Sequence, residues 1–394
     1  MNQQVPKDKK IVLFFDELPW MATKRSRLLQ NLDYYWNQHW SDDERIKLIV
    51  CGSSASWILN NILRNKGGLY NRTTREIHLE SFSLPEVKVY LENMGIKLNN
   101  NQILLLYMLT GGIPYYLNRA EKGFTAMQLI ERMAFSKKAF LLEEFKKLFG
   151  SLFDDDDVYT EIVKVISKYR YGIGQQELLK KLGTQAKGGF YAKKLQTLEE
   201  SGFIMSFTPL YHKRQGIYYR IIDEYTLFYL KWIEPLRRNL QKQALSEGNW
   251  QEMQNTPEWN NWLGYAFEAV CYKHLSIIRR KLQISPTAIA DTWRYVPRKH
   301  SKESGAQIDL LFDRRDDAIT LCEIKYSNKP DVITNDYVDN LKRKMTVFQK
   351  QTKTKKQLFI ALISAMGVKN NYYAEDICSG LVILDDLFEE QGDY

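Results

Sequence analysis

Apolar residues follow three kinds of pattern along this chain. The first is the short unbroken run. Ile11-Val12-Leu13-Phe14-Phe15 ends in Asp16-Glu17, and Ile46-Lys47-Leu48-Ile49-Val50-Cys51 ends in Gly52-Ser53-Ser54. Runs of this kind predict fully buried parallel strands with polar groups at their C-terminal mouths, the edge where α/β sheets bind ligands. The second pattern is helical spacing. It covers helices on either side of Gly111-Gly112-Ile113-Pro114, then Val158 to Tyr169, then Gly174 to Leu182 closed by Gly183, then Gly189 to Glu200 closed by Ser201-Gly202. Strands Phe203 to Thr208 and Gly216 to Ile221 then flank Tyr211-His212-Lys213-Arg214-Gln215. Three helices and a basic-tipped hairpin predict a winged helix. Tyr225 to Asn255 reads as an aromatic connecting helix.

The third pattern mixes the two periods. Trp259 to Tyr272 has helical spacing, while Gln307-Ile308-Asp309-Leu310-Leu311-Phe312 and Ile319-Thr320-Leu321-Cys322-Glu323-Ile324-Lys325 read as a hairpin across Asp313 to Asp317. A lysine-rich amphipathic helix around Tyr337 to Lys350 follows, then strands at Gln357 to Ser364 and Leu381 to Asp385. Because strand side chains alternate, Glu323 and Lys325 project from one face, and Asp309 on the neighbouring strand can share it. Carboxylates that converge repel each other unless a cation lies between them, and hard oxygen donors favour Mg²⁺ or Mn²⁺. A lysine beside such an ion can position water or neutralise charge on a phosphoryl group, so the set suits phosphodiester hydrolysis.

Composition narrows the picture. A chain of 394 residues holds two or three domains, and 44% hydrophobic content excludes a disordered protein. The net charge of +9 favours a polyanionic partner such as nucleic acid. Cys51, Cys271, Cys322 and Cys378 form no C-x-x-C pair, which fits reduced thiols in the cytoplasm. The five histidines are dispersed and offer neither a zinc site nor a nucleophile relay. No targeting segment and no membrane span is expected from the polar start Met1 to Lys10 and the short apolar run after it.

Asp309 with Glu323-x-Lys325, in the order helix, strands, helix, strand, resembles the PD-(D/E)XK nuclease superfamily. The resemblance implies a restriction-endonuclease-like α/β domain over 255–390, catalytic Asp309, Glu323, Lys325 and Glu268, and Mg²⁺ or Mn²⁺ on Asp309, Glu323 and the helix-borne Glu268. Roughly the first 145 residues resemble the archaeal-type ATPase family of the AAA+/STAND group. That resemblance makes Asp16 and Glu17 a Walker B pair, Ser53 or Ser54 the γ-phosphate sensor, Arg72 a finger, and Gly111 to Pro114, with Gly112 and Pro114, the lid turn near the base of ATP. It implies a partial P-loop NTPase core over 1–98, a helical lid over 99–150 and a winged helix over 155–235.

No G-x-x-x-x-G-K-[ST] precedes Asp16, so ATP binding and hydrolysis are expected to be lost unless another polypeptide supplies a P-loop. In the winged helix, Tyr191, Lys193 and Lys194 would face nucleic acid from the third helix, with Lys213 and Arg214 on the wing. The expectation is an α/β multidomain, ATPase-related protein linked to nucleic acid, with metal-dependent DNA cleavage by its C-terminal domain. A non-catalytic DNA-binding or regulatory module is the alternative.

Overall fold

The structure is a computed structural model that describes residues 6, 8–23, 25–52, 55–58, 61–62, 72–136, 138–183, 188–210, 216–242, 249–253, 256–297 and 303–389. The chain forms two units. Unit 1 comprises Met1–Glu80, Leu148–Tyr159 and Lys187–Phe203, and unit 2 comprises Ser81–Lys147, Thr160–Ala186 and Ile204–Tyr394.

In unit 1 the two apolar runs form parallel strands β1 (Ile11–Phe15) and β2 (Ile46–Val50), paired from Ile11↔Ile46 to Phe15↔Val50. One face of the pair contributes Phe15 and Val50 to a core built on Leu18, Leu32 and Ile62, with Leu32 supplied by helix α1 (Leu28–Tyr35). The expectation of full burial fails on the other face, where Val12, Phe14 and Ile49 are 55%, 58% and 45% exposed. An unbroken apolar run states that both faces can be buried, and among the described residues only one is. The remainder of the unit is held by rings: Phe153 stacks on Tyr159 at 4.0 Å, and Phe149 and Phe203 meet at 4.9 Å. In helix Gly188–Glu200, Tyr191, Leu195 and Leu198 form a buried stripe at i, i+4 and i+7.

Unit 2 contains a helical part and two sheets. Helix α2 (Leu84–Asn93) starts at a capping box in which the Ser83 backbone N–H donates to Glu86 Oε2 at 2.7 Å. Helix α3 (Asn100–Thr110) is buried nearly all round and ends at Gly111, whose φ of +61° is left-handed. The next residue admits no side chain at all, because at Gly112 (φ +74°) a Cβ would lie 2.1 Å from the Phe82 carbonyl oxygen. His274 is buried against this layer. It accepts a hydrogen bond from Leu84 N at Nε2 (3.0 Å), Nδ1 lies 2.8 Å from the Val270 carbonyl, and burial lowers its pKa to about 4.

A three-stranded antiparallel sheet in the order β3-β5-β4 is built from β3 (Ile173–Gly174), β4 (Ile204–Phe207) and β5 (Tyr218–Ile221). The connecting segment that the sequence reads as one helix is broken: α5 follows α4 (Asp156–Ile166) in the chain, spans Glu224–Phe228, and passes into a π turn at Tyr229–Ile233 and a tight turn at Glu234–Leu236.

The larger sheet has the order β10-β9-β8-β7-β6, from β6 (Ile289–Tyr295), β7 (Ala306–Asp313), β8 (Ala318–Lys325), β9 (Gln357–Ser364) and β10 (Gly380–Ile383). β6, β7 and β8 are antiparallel neighbours, whereas β8, β9 and β10 run parallel. The hairpin and the return to parallel pairing require a crossover between β8 and β9, and the amphipathic helix α7 provides it after α6 (Pro257–Lys273); α7 spans Asn335–Thr352. Its Val338, Leu341 and Phe348 bury against Ile308, Leu311, Leu321 and Ile360 of the sheet. Each such side chain contributes about 1.5–3 kcal/mol when taken fully out of water. α6 begins at Thr256, whose hydroxyl accepts from Trp259 N at 3.2 Å, and it packs on β8 through one apolar face.

Candidate functional site

The β7–β8 ladder sets the site. Its last pairs are Leu311↔Leu321 and Leu310↔Cys322, so one further step puts Asp309 opposite Glu323 on one face. There the backbone pairing gives way to a side-chain bond, as Asp309 Oδ2 accepts from Ile324 N at 3.1 Å. Asp309 Oδ1 accepts from Gln307 Nε2 at 3.0 Å, and the Asp309 carbonyl accepts from the Tyr272 hydroxyl at 2.8 Å. Two strand residues and one helix residue therefore fix this aspartate from three directions.

Two glutamates flank it electrostatically. Glu268 projects from α6 and is ion-paired to Arg170. Burial, and next the charge of Asp309, push the Glu268 carboxyl up to about 7. Burial followed by Asp309 also raises Glu323, against the opposing pull of Lys344 and then Lys325. Lys344 on α7 donates to both Glu323 oxygens, at 2.8 and 2.6 Å. Lys325 meets a ring instead: its ammonium lies 3.6 Å from the Tyr337 centroid. A cavity of about 20 Å³ opens between Arg170, Arg220, Tyr265, Glu268, Gln307 and Asp309. That volume suits a single water molecule or ion.

The donor chemistry fits a divalent cation, since the oxygens are hard and the charge of Asp309 raises the proton affinity of both glutamates. The closed three-carboxylate shell expected from the sequence is not assembled, however. Among the described residues no three His, Cys, Asp or Glu side chains are gathered to hold a metal. The physical reason lies in the partners, because Arg170 and Lys344 each satisfy one glutamate and hold it to its own side of Asp309.

Arg170 is the residue that motif reasoning misses, and Lys344, which the sequence reads with Lys342 and Arg343 as phosphate-binding, is instead engaged by Glu323. Lys344 falls in the basic triplet Lys342-Arg343-Lys344, where helical spacing on an amphipathic α7 could have turned it toward the sheet. Arg170 stands alone between Tyr169 and Tyr171 and gives no such signal.

The remaining expected residues are scattered. Asp16 directly follows β1 and accepts a hydrogen bond from Cys51 Sγ at 2.9 Å, Glu17 adopts a left-handed φ of 48°, and Arg72 is exposed. Ser53, Ser54, Lys213 and Arg214 lie outside the described residues. Gly112 is buried and Pro114 opens the short helix Pro114–Leu117. Lys193 is exposed, but Tyr191, expected to face nucleic acid, is only 7% exposed because it belongs to the apolar stripe of its helix. Lys194 is likewise engaged, 2.5 Å from Asp155 and 4.5 Å from the Tyr159 ring centroid. Among the described residues no helix is long and apolar enough to cross a membrane.

Residues 229–340 match the family DUF234, described as archaea bacterial proteins of unknown function. The matched stretch contains Glu268, Asp309, Glu323 and Lys325 and stops short of Lys344. An uncharacterized protein of Methanocaldococcus jannaschii is 26% identical over 329 residues, covering 82% of this chain and 69% of its own. The Walker-type ATPase of Pyrococcus abyssi is similar in structure with a TM-score of 0.39 and 18% identity, over 56% of this chain and 63% of that one.

Proposed function

We propose that unit 2 is a divalent-metal-dependent phosphodiesterase of the PD-(D/E)XK kind acting on nucleic acid, DNA in the first place. The observation that carries this is the effect of Asp309, whose charge raises two buried glutamates on neighbouring elements at once. Perturbed carboxyl groups gathered at one place in a folded core are a mark of functional sites. Asp309 and Glu323 would hold Mg²⁺ or Mn²⁺, and Glu268 would join them on release from Arg170. When bound, such an ion supplies Lewis acidity and a water that ionises near neutral pH.

The chain's own groups do the rest. Gln307 and the Ile324 N–H hold both oxygens of Asp309, so the carboxylate is oriented before any ligand arrives. Lys325, with no carboxylate ion-pair partner among the described residues, is the ammonium available to a phosphoryl oxygen. Lys344 neutralises Glu323 in the resting state and must yield it. The test is relaxation of supercoiled plasmid by wild type, Glu323→Ala and Lys325→Ala purified in parallel. Wild type nicks with Mg²⁺ or Mn²⁺ and the variants fall by at least about a hundredfold. Equal nicking by all three would mark a contaminant and end the proposal.

A further inference from the structure

A second recess adjoins the carboxylates. It has a volume of about 830 Å³, and it shares Arg170 and Tyr265 with the small cavity that Glu268 and Asp309 line. Its walls are three helical faces. α6 contributes Glu258, Asn261, Trp262 and Tyr265, at i, i+3, i+4 and i+7, and the same face continues to Glu268 and Ala269 in the cavity. α5 and the two turns that continue it contribute Leu227, Leu230, Lys231 and Glu234 at the same spacing, and α4 with the turn after it contributes Lys164, Ser167 and Lys168. One face of α6 thus runs without interruption from the recess to the carboxylates.

Its chemistry is basic and aromatic. Lys164, Lys168, Arg170 and Lys231 outnumber Glu234 and Glu258. Two of these cations sit in partly exposed ion pairs, Lys164 with Glu234 and Lys231 with Glu258, which exchange readily for a phosphate because such pairs are worth little in water, and Arg170 pairs with the more deeply buried Glu268. Lys168 is exposed and has no ion-pair partner among the described residues. Trp262 is 6% exposed, and its buried indole N–H has no acceptor among the described residues. The recess therefore offers cations for phosphates and an aromatic wall for bases.

We propose that this groove holds one single strand of nucleic acid and leads it past Arg170 to Asp309. A volume in the range of small-ligand pockets takes a few nucleotides of one strand, whereas a duplex, whose major groove alone is about 12 Å wide, does not enter. Stacking on aromatic side chains with cations along the backbone is how strands are held without regard to sequence. Arg170 is the junction, and a phosphate at the end of the groove competes with Glu268 for its guanidinium. The inference rests on the phosphodiesterase reading for the strand's destination but not for its binding.

The test is fluorescence anisotropy of a labelled single-stranded oligodeoxynucleotide with the full chain in EDTA, where no cleavage contributes. Lys168→Glu with Lys231→Glu raises Kd by about tenfold or more and lowers the salt dependence of log Kd by about two. Lys97→Glu, an exposed lysine outside the groove, makes a single charge change and leaves Kd within about twofold. Circular dichroism of each variant checks folding, and Lys168→Gln gives a milder loss if the double reversal does not fold. Unchanged binding in the groove variants, or preference for duplex over single strand, would overturn the inference. Asp309→Asn separates the two proposals: it abolishes nicking and leaves anisotropy intact if both hold, while retained nicking with intact binding removes the phosphodiesterase reading and leaves the groove.

Discussion

Replacing Glu268 by glutamine should stabilise the protein at alkaline pH. The Glu268 carboxyl rises from an ordinary 4.5 to about 7, first through burial and then through Asp309. At roughly 1.4 kcal/mol per pH unit, keeping it ionised in the folded state costs about 3 kcal/mol. The sign follows from the direction of the shift. A carboxyl whose folded pKa is raised binds its proton more tightly when folded, so its contribution is full below pH 4.5 and is lost as the pH climbs through 7. Glutamine keeps the shape and does not titrate.

The ion pair with Arg170 is already contained in the value of about 7, since its charge and hydrogen bond pull the Glu268 carboxyl down against burial and Asp309. The net expectation is a variant about 2–3 kcal/mol more stable than wild type at pH 8 and within about 1 kcal/mol of it at pH 4.5. Urea unfolding followed by tryptophan fluorescence measures this, since Trp232, Trp250, Trp259 and Trp262 cluster in the same unit. A Glu268→Gln protein less stable than wild type at pH 8, or a difference independent of pH, would refute the reasoning. It would mean that Glu268 is held for its ion pair and not in spite of Asp309.

Two further substitutions probe the neighbouring charges. Lys273→Met should destabilise unit 2 by about 3–5 kcal/mol in the same urea assay, because it strands Glu224, which is 1% exposed and 2.5 Å from the Lys273 ammonium. Lys344→Met should tighten Mn²⁺ binding by about tenfold in calorimetry, since it releases Glu323 from a competing cation. Weaker binding would instead assign Lys344 to positioning Glu323 for the ion.

The hairpin and its carboxylates were legible because their determinants are local. Strand alternation puts Glu323 and Lys325 on one face, and the polar turn between the strands places Asp309 beside them. The crossover helix was equally readable, with its apolar spacing recovered as Val338, Leu341 and Phe348. What escaped was long-range. Arg170 and Glu268 are 98 residues apart, and nothing around Tyr169-Arg170-Tyr171 announces a partner.

Tyr191 was misread for a different reason. The stripe Tyr191, Leu195 and Leu198 was present in the sequence, but an aromatic residue beside two lysines suits a nucleic-acid face as well as a core. Periodicity gives which residues share a side and leaves open what that side meets. The same limit applies to β1 and β2, whose apolar runs allow burial on both faces without supplying the second cover.

The central claim is that Asp309 and its neighbours hold a divalent cation, and titration of Mn²⁺ into wild type and Asp309→Asn at pH 7 by isothermal calorimetry tests it directly. The account predicts one ion per wild-type chain, bound with release of protons because Glu268, raised to about 7, is partly protonated at that pH. It predicts no binding above background in Asp309→Asn. Equal binding by the two proteins, or none by wild type, would contradict it.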